Sequence, residues 1–483
     1  MNTQPMPHLL ILLPGVMGSA LQKDGRDVWA LSGQALGAYV GTLGRSVDTL
    51  RVEGDDRNLA DLGDGVRATH LIEDIHAVPG LMEHAGYSVI VRQLQEAFDL
   101  EAGSIHAPHD SANFYSFPYD WRRDNRATAL KVKTFIDQQL RRWRAYSGAD
   151  QAQVVLIGHS LGGLIARYYV EALEGWRDCL ALITVGSPHR GAVAALGTLS
   201  NGVHRCLGRL NDVVRSFESA YQILPTYPAV MADSDLKRVI EFDALPNIDL
   251  PRARHAREDF LQAIVDAAGR NATDPRYRQR TIPWVGTGQG APQLAELRAG
   301  QLVIRKTPPA GLPEQLAGGD GTVARVSATP VDLDGQRLER FATERHGWLT
   351  NNPMTLAPLL DTLRQIVSGG AAQIHGDLGR SLTGISLSLE PMYTRDEPVT
   401  IEVKLVATDA PEQALDVSLE IVPHGQASER VTRVARITAA EARSVAIEDL
   451  APGLYDLTAS VLEAGHLPPT HGIFEVIDPA QVG

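Results

Sequence analysis

Four apolar residues, Val154-Val155-Leu156-Ile157, run straight into Gly158-His159-Ser160-Leu161-Gly162-Gly163, and a helix-compatible stretch from Leu164 to Tyr168 follows. Strand, abrupt turn and helix with a serine at the apex is the layout of a nucleophile elbow. Glycines flank the serine because such a turn is strained and tightly packed, so that a Cβ would clash. The start of the helix offers unpaired N–H groups and the positive end of its dipole to a developing oxyanion. The chemistry expected of Ser160 is therefore acyl transfer. With 44 glycines in the chain, a bare GxSxG spacing could arise in any loop, so the flanking strand and helix carry the inference.

A serine hydroxyl needs a base to take its proton and an acid to orient that base. On this kind of elbow they follow in the order serine, acid, histidine. Asp320 in Gly318-Gly319-Asp320-Gly321-Thr322-Val323 is the first choice of acid, since glycines suit a tight loop at a strand end; Asp332 and Asp334 are reserves. His346 in Glu344-Arg345-His346-Gly347-Trp348 is the base, because no other histidine lies between Asp320 and the loosened stretch that begins at Ser368. His159 is read as filling the elbow turn, and His375, His424, His466 and His471 as surface residues. Two backbone donors are needed for the oxyanion. The N–H of Leu161 supplies one, and Val16 in Pro14-Gly15-Val16-Met17-Gly18-Ser19 is expected to supply the other.

Elements that could position these groups are legible from periodicity. Strand-like runs at Leu9–Leu13, Phe114–Phe117, Val154–Ile157, Leu180–Val185 and Ile282–Val285 alternate with helix-period segments, which predicts a mostly parallel, doubly wound α/β sheet. Between Ala127 and Trp143 the residues Val132, Phe135, Ile136, Leu140 and Trp143 share one face, a core stripe. Helical segments at about 192–280 read as a cap over the site. There Leu196, Leu199, Leu224, Tyr227 and Met231 either line an acyl-chain pocket or simply pack the cap. After Ser368 the sequence loosens, and beyond Thr383 the period becomes two: Val399, Ile401, Val403 and Leu405, then Leu415, Val417, Leu419 and Ile421, with further runs at Tyr455–Val461 and Ile473–Ile477. The expected organisation is a catalytic domain over 1–368, a linker over 369–383 and a small β-sandwich over 384–483.

Composition narrows the classes. A net charge of −13 across 483 residues and the absence of a basic stretch argue against nucleic acid as a partner. Two cysteines, Cys179 and Cys206, exclude a disulfide framework and are read as structural. The chemistry needs no metal or organic cofactor. Residues 1–7 carry no lysine or arginine, and Leu9–Leu13 stops at Pro14-Gly15, too short for a signal core or a membrane span. A cytoplasmic location is expected, compatible with peripheral contact with a membrane.

Taken in order, Leu13-Pro14-Gly15-Val16-Met17-Gly18-Ser19, Phe117-Pro118-Tyr119-Asp120-Trp121-Arg122, Gly158–Gly162 and Gly319-Asp320-Gly321-Thr322-Val323 with His346 resemble the motifs of the lecithin:cholesterol acyltransferase family of α/β-hydrolases. Gly186-Ser187-Pro188-His189-Arg190-Gly191-Ala192 is similar to a post-strand loop of many lipases. The resemblance spans Leu9 to about Trp348 and implies Ser160, Asp320 and His346 as triad and Val16 and Leu161 as oxyanion donors. It further implies an acyl group taken from a lipid ester, first of all a phospholipid, held on the serine and passed to an alcohol or water. Secreted members have an export signal and disulfides that this chain lacks, and the β-rich tail lies outside the family core. Asp120 and Arg122 are expected to brace the pocket wall, as buried ion pairs commonly do, with a direct role at the substrate as the lesser alternative. The alternative is a catalytically silent hydrolase-like scaffold whose β-sandwich recruits a partner protein.

Overall fold

A computed structural model describes residues 3–478 except 30–46, 60, 74–75, 79–81, 85, 203–207, 314–315, 334–338, 370–382, 408–413, 426–428, 440 and 463–466. Cys206, Asp334, His375, His466 and most of the expected linker lie outside the described residues.

Seven strands form the central sheet: β1 (Leu9–Leu13), β2 (Ala102–Gly103), β3 (Phe114–Ser116), β4 (Val154–His159), β5 (Cys179–Val185), β6 (Thr281–Gly286) and β7 (Arg340–Ala342). Their order is β7-β6-β5-β4-β1-β3-β2, and every neighbouring pair is parallel. Both faces are covered, which is why the strand sequences are continuously apolar. Leu9, Ile11, Leu156 and Leu182 join one core with helices α1 (Asn125–Ser147) and α2 (Leu161–Glu171). Leu10, Leu12, Val155, Ile157 and Ile183 join the other, beneath α3 (Pro353–Val367). Helix α1 carries the stripe read from the sequence, with Val132, Phe135, Ile136 and Leu140 buried. Asp124 caps its start by accepting from the N–H of Arg126 (2.9 Å), and left-handed Gly148 ends it. The fold is thus the α/β arrangement expected.

The cap is not helical throughout. Helices at Val193–Asn201, Gly208–Ser216, Glu218–Tyr221, Leu250–Ala256 and Ala263–Asn271 are joined by a four-stranded sheet. Two of its strands, Leu294–Arg298 and Gln301–Arg305, come from beyond residue 280. Short strands with few alternating positions gave no period to read.

The C-terminal region packs a three-stranded sheet (Thr383–Ser388, Val399–Ala407, Arg443–Ile447) against a five-stranded one (Met392–Thr394, Leu415–Pro423, Val431–Ile437, Gly453–Val461, Thr470–Ile477). Their inner faces meet through Ile385, Ile401, Val403, Val417, Leu419, Leu457 and Phe474.

Candidate active site

Ser160 follows the last residue of β4 and precedes the first residue of α2. Its backbone sits at φ 51°, ψ −119°, a conformation that costs a non-glycine residue of order 1–3 kcal/mol and is held only by tight packing around it. The packing is visible at the flanking glycines. A Cβ on Gly158 would lie 2.4 Å from Gly163 Cα, and one on Gly162 would lie 2.3 Å from Pro14 O. The second contact presses the elbow against the Pro14–Ser19 loop.

Asp320 and His346 reach the serine from neighbouring strand ends. The loop bearing Asp320 returns to the carboxyl end of β6, where Gly286 leaves no room for a side chain, since a Cβ there would meet Asp320 Cβ at 2.4 Å. His346 opens a short helical turn (His346–Trp348) just after β7. Ligand sites of open parallel sheets lie at these carboxyl ends. The imidazole Nδ1–H donates to Asp320 Oδ2 at 2.7 Å, and Ser160 Oγ lies 3.0 Å from His346 Nε2. Asp320 is 1% exposed, and its Oδ1 accepts from the N–H groups of Thr322 (3.0 Å) and Val323 (2.7 Å). Those bonds orient the carboxylate, which fixes the tautomer of the histidine and leaves Nε2 as an acceptor for the serine proton. The reserve acid Asp332 is occupied elsewhere, paired with the buried guanidinium of Arg167.

His159 is buried and structural in its bonding. Its Nε2–H donates to His346 O (3.2 Å), so Nδ1 accepts from Tyr87 Oη (2.9 Å), which in turn accepts from the N–H of Gly15 (2.6 Å). This chain of bonds links the Pro14–Ser19 loop to the histidine loop through the residue beside Ser160. Tyr87 gave no signal in the sequence, lying apart from every motif. Val16 lines the cavity beside Ser160. Leu161 is the first residue of α2, a position whose backbone N–H has no acceptor one turn back within the helix.

The cavity over Ser160 measures about 130 Å³. Its walls include Met17, Leu199, Val214, Phe217, Ile223 and Val323. Of the five cap residues raised from the sequence, Leu199 alone is on this wall; Leu196 and Leu224 are buried in the core instead. Tyr227 and Met231 also lie off it. A nucleophile with a base, an oriented acid and an apolar chamber can carry out acyl transfer.

Residues 109–249 match the model of the lecithin:cholesterol acyltransferase family. The resemblance drawn from the motifs is borne out, and with it the expectation of an acyl-ester hydrolase or acyltransferase. The matched stretch holds the elbow and the Tyr119-Asp120-Trp121-Arg122 motif, whose work is now visible. Tyr119 Oη donates to Pro14 O (2.8 Å) and Trp121 Nε1–H to Ser19 O (3.0 Å), pinning both ends of the loop that bears Val16. Arg122 is fully buried, bound to Asp120 (2.7 Å) and Asp64 (2.9 Å), so the motif's ion pair serves the architecture.

No curated protein matches the chain in sequence. Among solved structures, the propeptide form of Bacillus licheniformis lipase BlEst2 aligns at 10% identity over 98% of this chain and 95% of its own, with a TM-score of 0.34. Phospholipase PlaB from Legionella pneumophila aligns at 11% identity over 98% and 92%, with a TM-score of 0.22. Among the described residues, no group of three or more histidine, cysteine, aspartate or glutamate side chains is placed to hold a metal ion, and no helix is long and apolar enough to cross a membrane. Cys179 is buried, and burial pushes its thiol up to about 12, as befits a structural residue.

Proposed function

We propose that this protein is a serine-dependent acyl-ester hydrolase or O-acyltransferase acting on lipid esters, phospholipids first among them, through an acyl-enzyme. His346 Nε2 takes the proton of Ser160 as Oγ adds to the ester carbonyl, while Asp320 stabilises the imidazolium that forms. The tetrahedral oxyanion is held by the amides of Val16 and Leu161. Collapse of this intermediate breaks the ester C–O bond, and the departing alkoxide takes its proton from His346. Water or an acceptor alcohol, deprotonated by the same histidine, then releases the acyl group and restores the serine. In this reading residues 1–368 form the catalytic domain and 384–483 the β-sandwich.

The observation that carries the proposal is the pair of linked hydrogen bonds, 3.0 Å from serine to histidine and 2.7 Å from histidine to aspartate, opening on an apolar cavity. Replacing Ser160 with alanine should abolish both labelling by a fluorophosphonate and ester turnover. Turnover that survives would assign the chemistry to another nucleophile. Comparing the lipids of cells that make the native protein with those of cells that make Ser160→Ala would name donor and acceptor together.

A further inference from the structure

The C-terminal β region packs against both loops that carry the acid and the base. Gln289 lies three residues beyond β6 and is 1% exposed. Its main-chain N–H donates to Gly319 O (2.9 Å), next to Asp320. Its side chain faces the opposite way, with Nε2–H donating to Ile385 O (3.0 Å) and Oε1 accepting from the N–H of Leu387 (2.9 Å). One carboxamide thus completes the outer edge of the strand Thr383–Ser388, as a neighbouring strand would. A glutamine between glycines directly after a predicted strand was the available sequence signal.

The histidine loop is held by the same region at four points. A Cβ on Gly384 would lie 2.4 Å from Thr343 Cγ2, and one on Gly472 would lie 3.3 Å from Arg345 Nη1. Glu344 Oε2 is 3.5 Å from His471 Nδ1, and the carboxylate also accepts from the N–H of Arg345 and from Asn352 Nδ2. Trp348 stacks on His471 with ring centroids 4.6 Å apart and planes at 21°. His471, read from the sequence as a surface residue, is instead half-buried under this ring. The two loops are also joined directly, since the N–H of His346 donates to Asp320 O (2.7 Å).

Loops at strand ends are the mobile part of such a fold, and an error of about 1 Å in a reacting group can cost about a hundredfold in rate. We propose that the C-terminal β region is a brace that fixes the Asp320 and His346 loops in reacting geometry, with Gln289, Glu344, Trp348 and His471 as positioning residues. The proposal rests on the roles given above to Ser160, Asp320 and His346. It gives the β-sandwich an inward task, distinct from recruiting a partner.

The test uses the full-length protein and the variants Gln289→Leu, His471→Ala, His471→Phe and Ser388→Ala. Turnover of a short-chain ester is expressed per active site titrated with a fluorophosphonate, and amide exchange is followed over residues 341–351. Gln289→Leu should lower kcat about tenfold to a hundredfold with little change in KM. His471→Ala should lower kcat about tenfold, and His471→Phe, which keeps a ring over Trp348, should recover most of that loss. Ser388→Ala removes an exposed hydrogen bond from Lys306 at the same interface that touches neither Asp320 nor His346, and should leave kcat unchanged. Exchange over the histidine loop should quicken in Gln289→Leu and His471→Ala. Normal kcat per titrated site with unchanged exchange in both variants would overturn the brace. So would fewer active sites of normal kcat, because the contact would then only stabilise the fold. If Gln289→Leu does not fold, the His471 pair decides. If the native protein shows no Ser160-dependent turnover, the functional reading fails, while the exchange measurement still decides the brace.

Discussion

Asp320 and Asp332 sit 12 residues apart in the chain, and the sequence offered both as acids. Their surroundings separate them. Asp320 is aimed by two amides at the imidazole of His346, whereas Asp332 neutralises a guanidinium that would otherwise be buried alone. Asp320→Asn should lower kcat by about 10⁴-fold with the fold intact, since the amide would select the wrong histidine tautomer. Asp332→Asn should behave the other way: kcat per titrated site holds, while stability falls by about 3 kcal/mol, read by denaturant titration. A reversal of the two results would move the acid. Ser160 was legible because strain writes itself into sequence as glycines; Asp332 was ambiguous because a pairing partner 165 residues away in the chain leaves no local trace.

At the level of elements, the loop Pro14–Ser19 is held by three side chains from two distant segments, Tyr87 from one and Tyr119 and Trp121 from the other. Tyr119→Phe removes the hydroxyl that donates to Pro14 O and leaves that buried carbonyl short of a partner. The expected result is a loss of about 1–2 kcal/mol in stability, and about a tenfold loss in kcat at near-constant KM as the Val16 amide loses its setting. An unchanged kcat would free the loop from that role. The cap makes a separate prediction. A cavity of about 130 Å³ is small beside ordinary ligand sites of roughly 300–1,000 Å³, so short acyl esters should be turned over faster than long ones in a series of chain lengths. Leu199→Ala should shift the optimum towards longer chains; an optimum that does not move would take Leu199 off the acyl path. Which cap residues face the cavity could not be read from the chain, because apolar side chains that line a pocket and those that fill a core have the same composition.

Across the whole molecule, the C-terminal sandwich carries one feature that tunes stability with pH. Glu475 is buried with Oε2 free of hydrogen-bond partners among the described residues, and burial pushes its carboxyl up to about 7. The folded state therefore keeps a proton that the unfolded chain gives up in the ordinary carboxylate range. Stability falls as pH rises from about 4.5 and levels off above about 7. Glu475→Gln should raise Tm at pH 8, by up to about 3 kcal/mol in stability, and bring no gain at pH 4. An equal gain at both values would show that the native carboxyl does not titrate in this window.

The sequence by itself determined the parallel α/β body, the elbow, the chain order of the candidate serine, acid and histidine, and the alternating strands of the tail. Each of these is encoded locally, in periodicity, in glycines that a strained turn requires, or in motifs a few residues long. Tertiary structure decided what depends on segments far apart in the chain: that three strand ends bring Ser160, His346 and Asp320 into bonding reach, that Tyr87 ties the Gly15 amide to His159, and that Gln289 and His471 join the sandwich to the loops behind them. A hydrogen bond between residues a hundred positions apart constrains both partners, yet neither carries a mark of it until the backbone has folded.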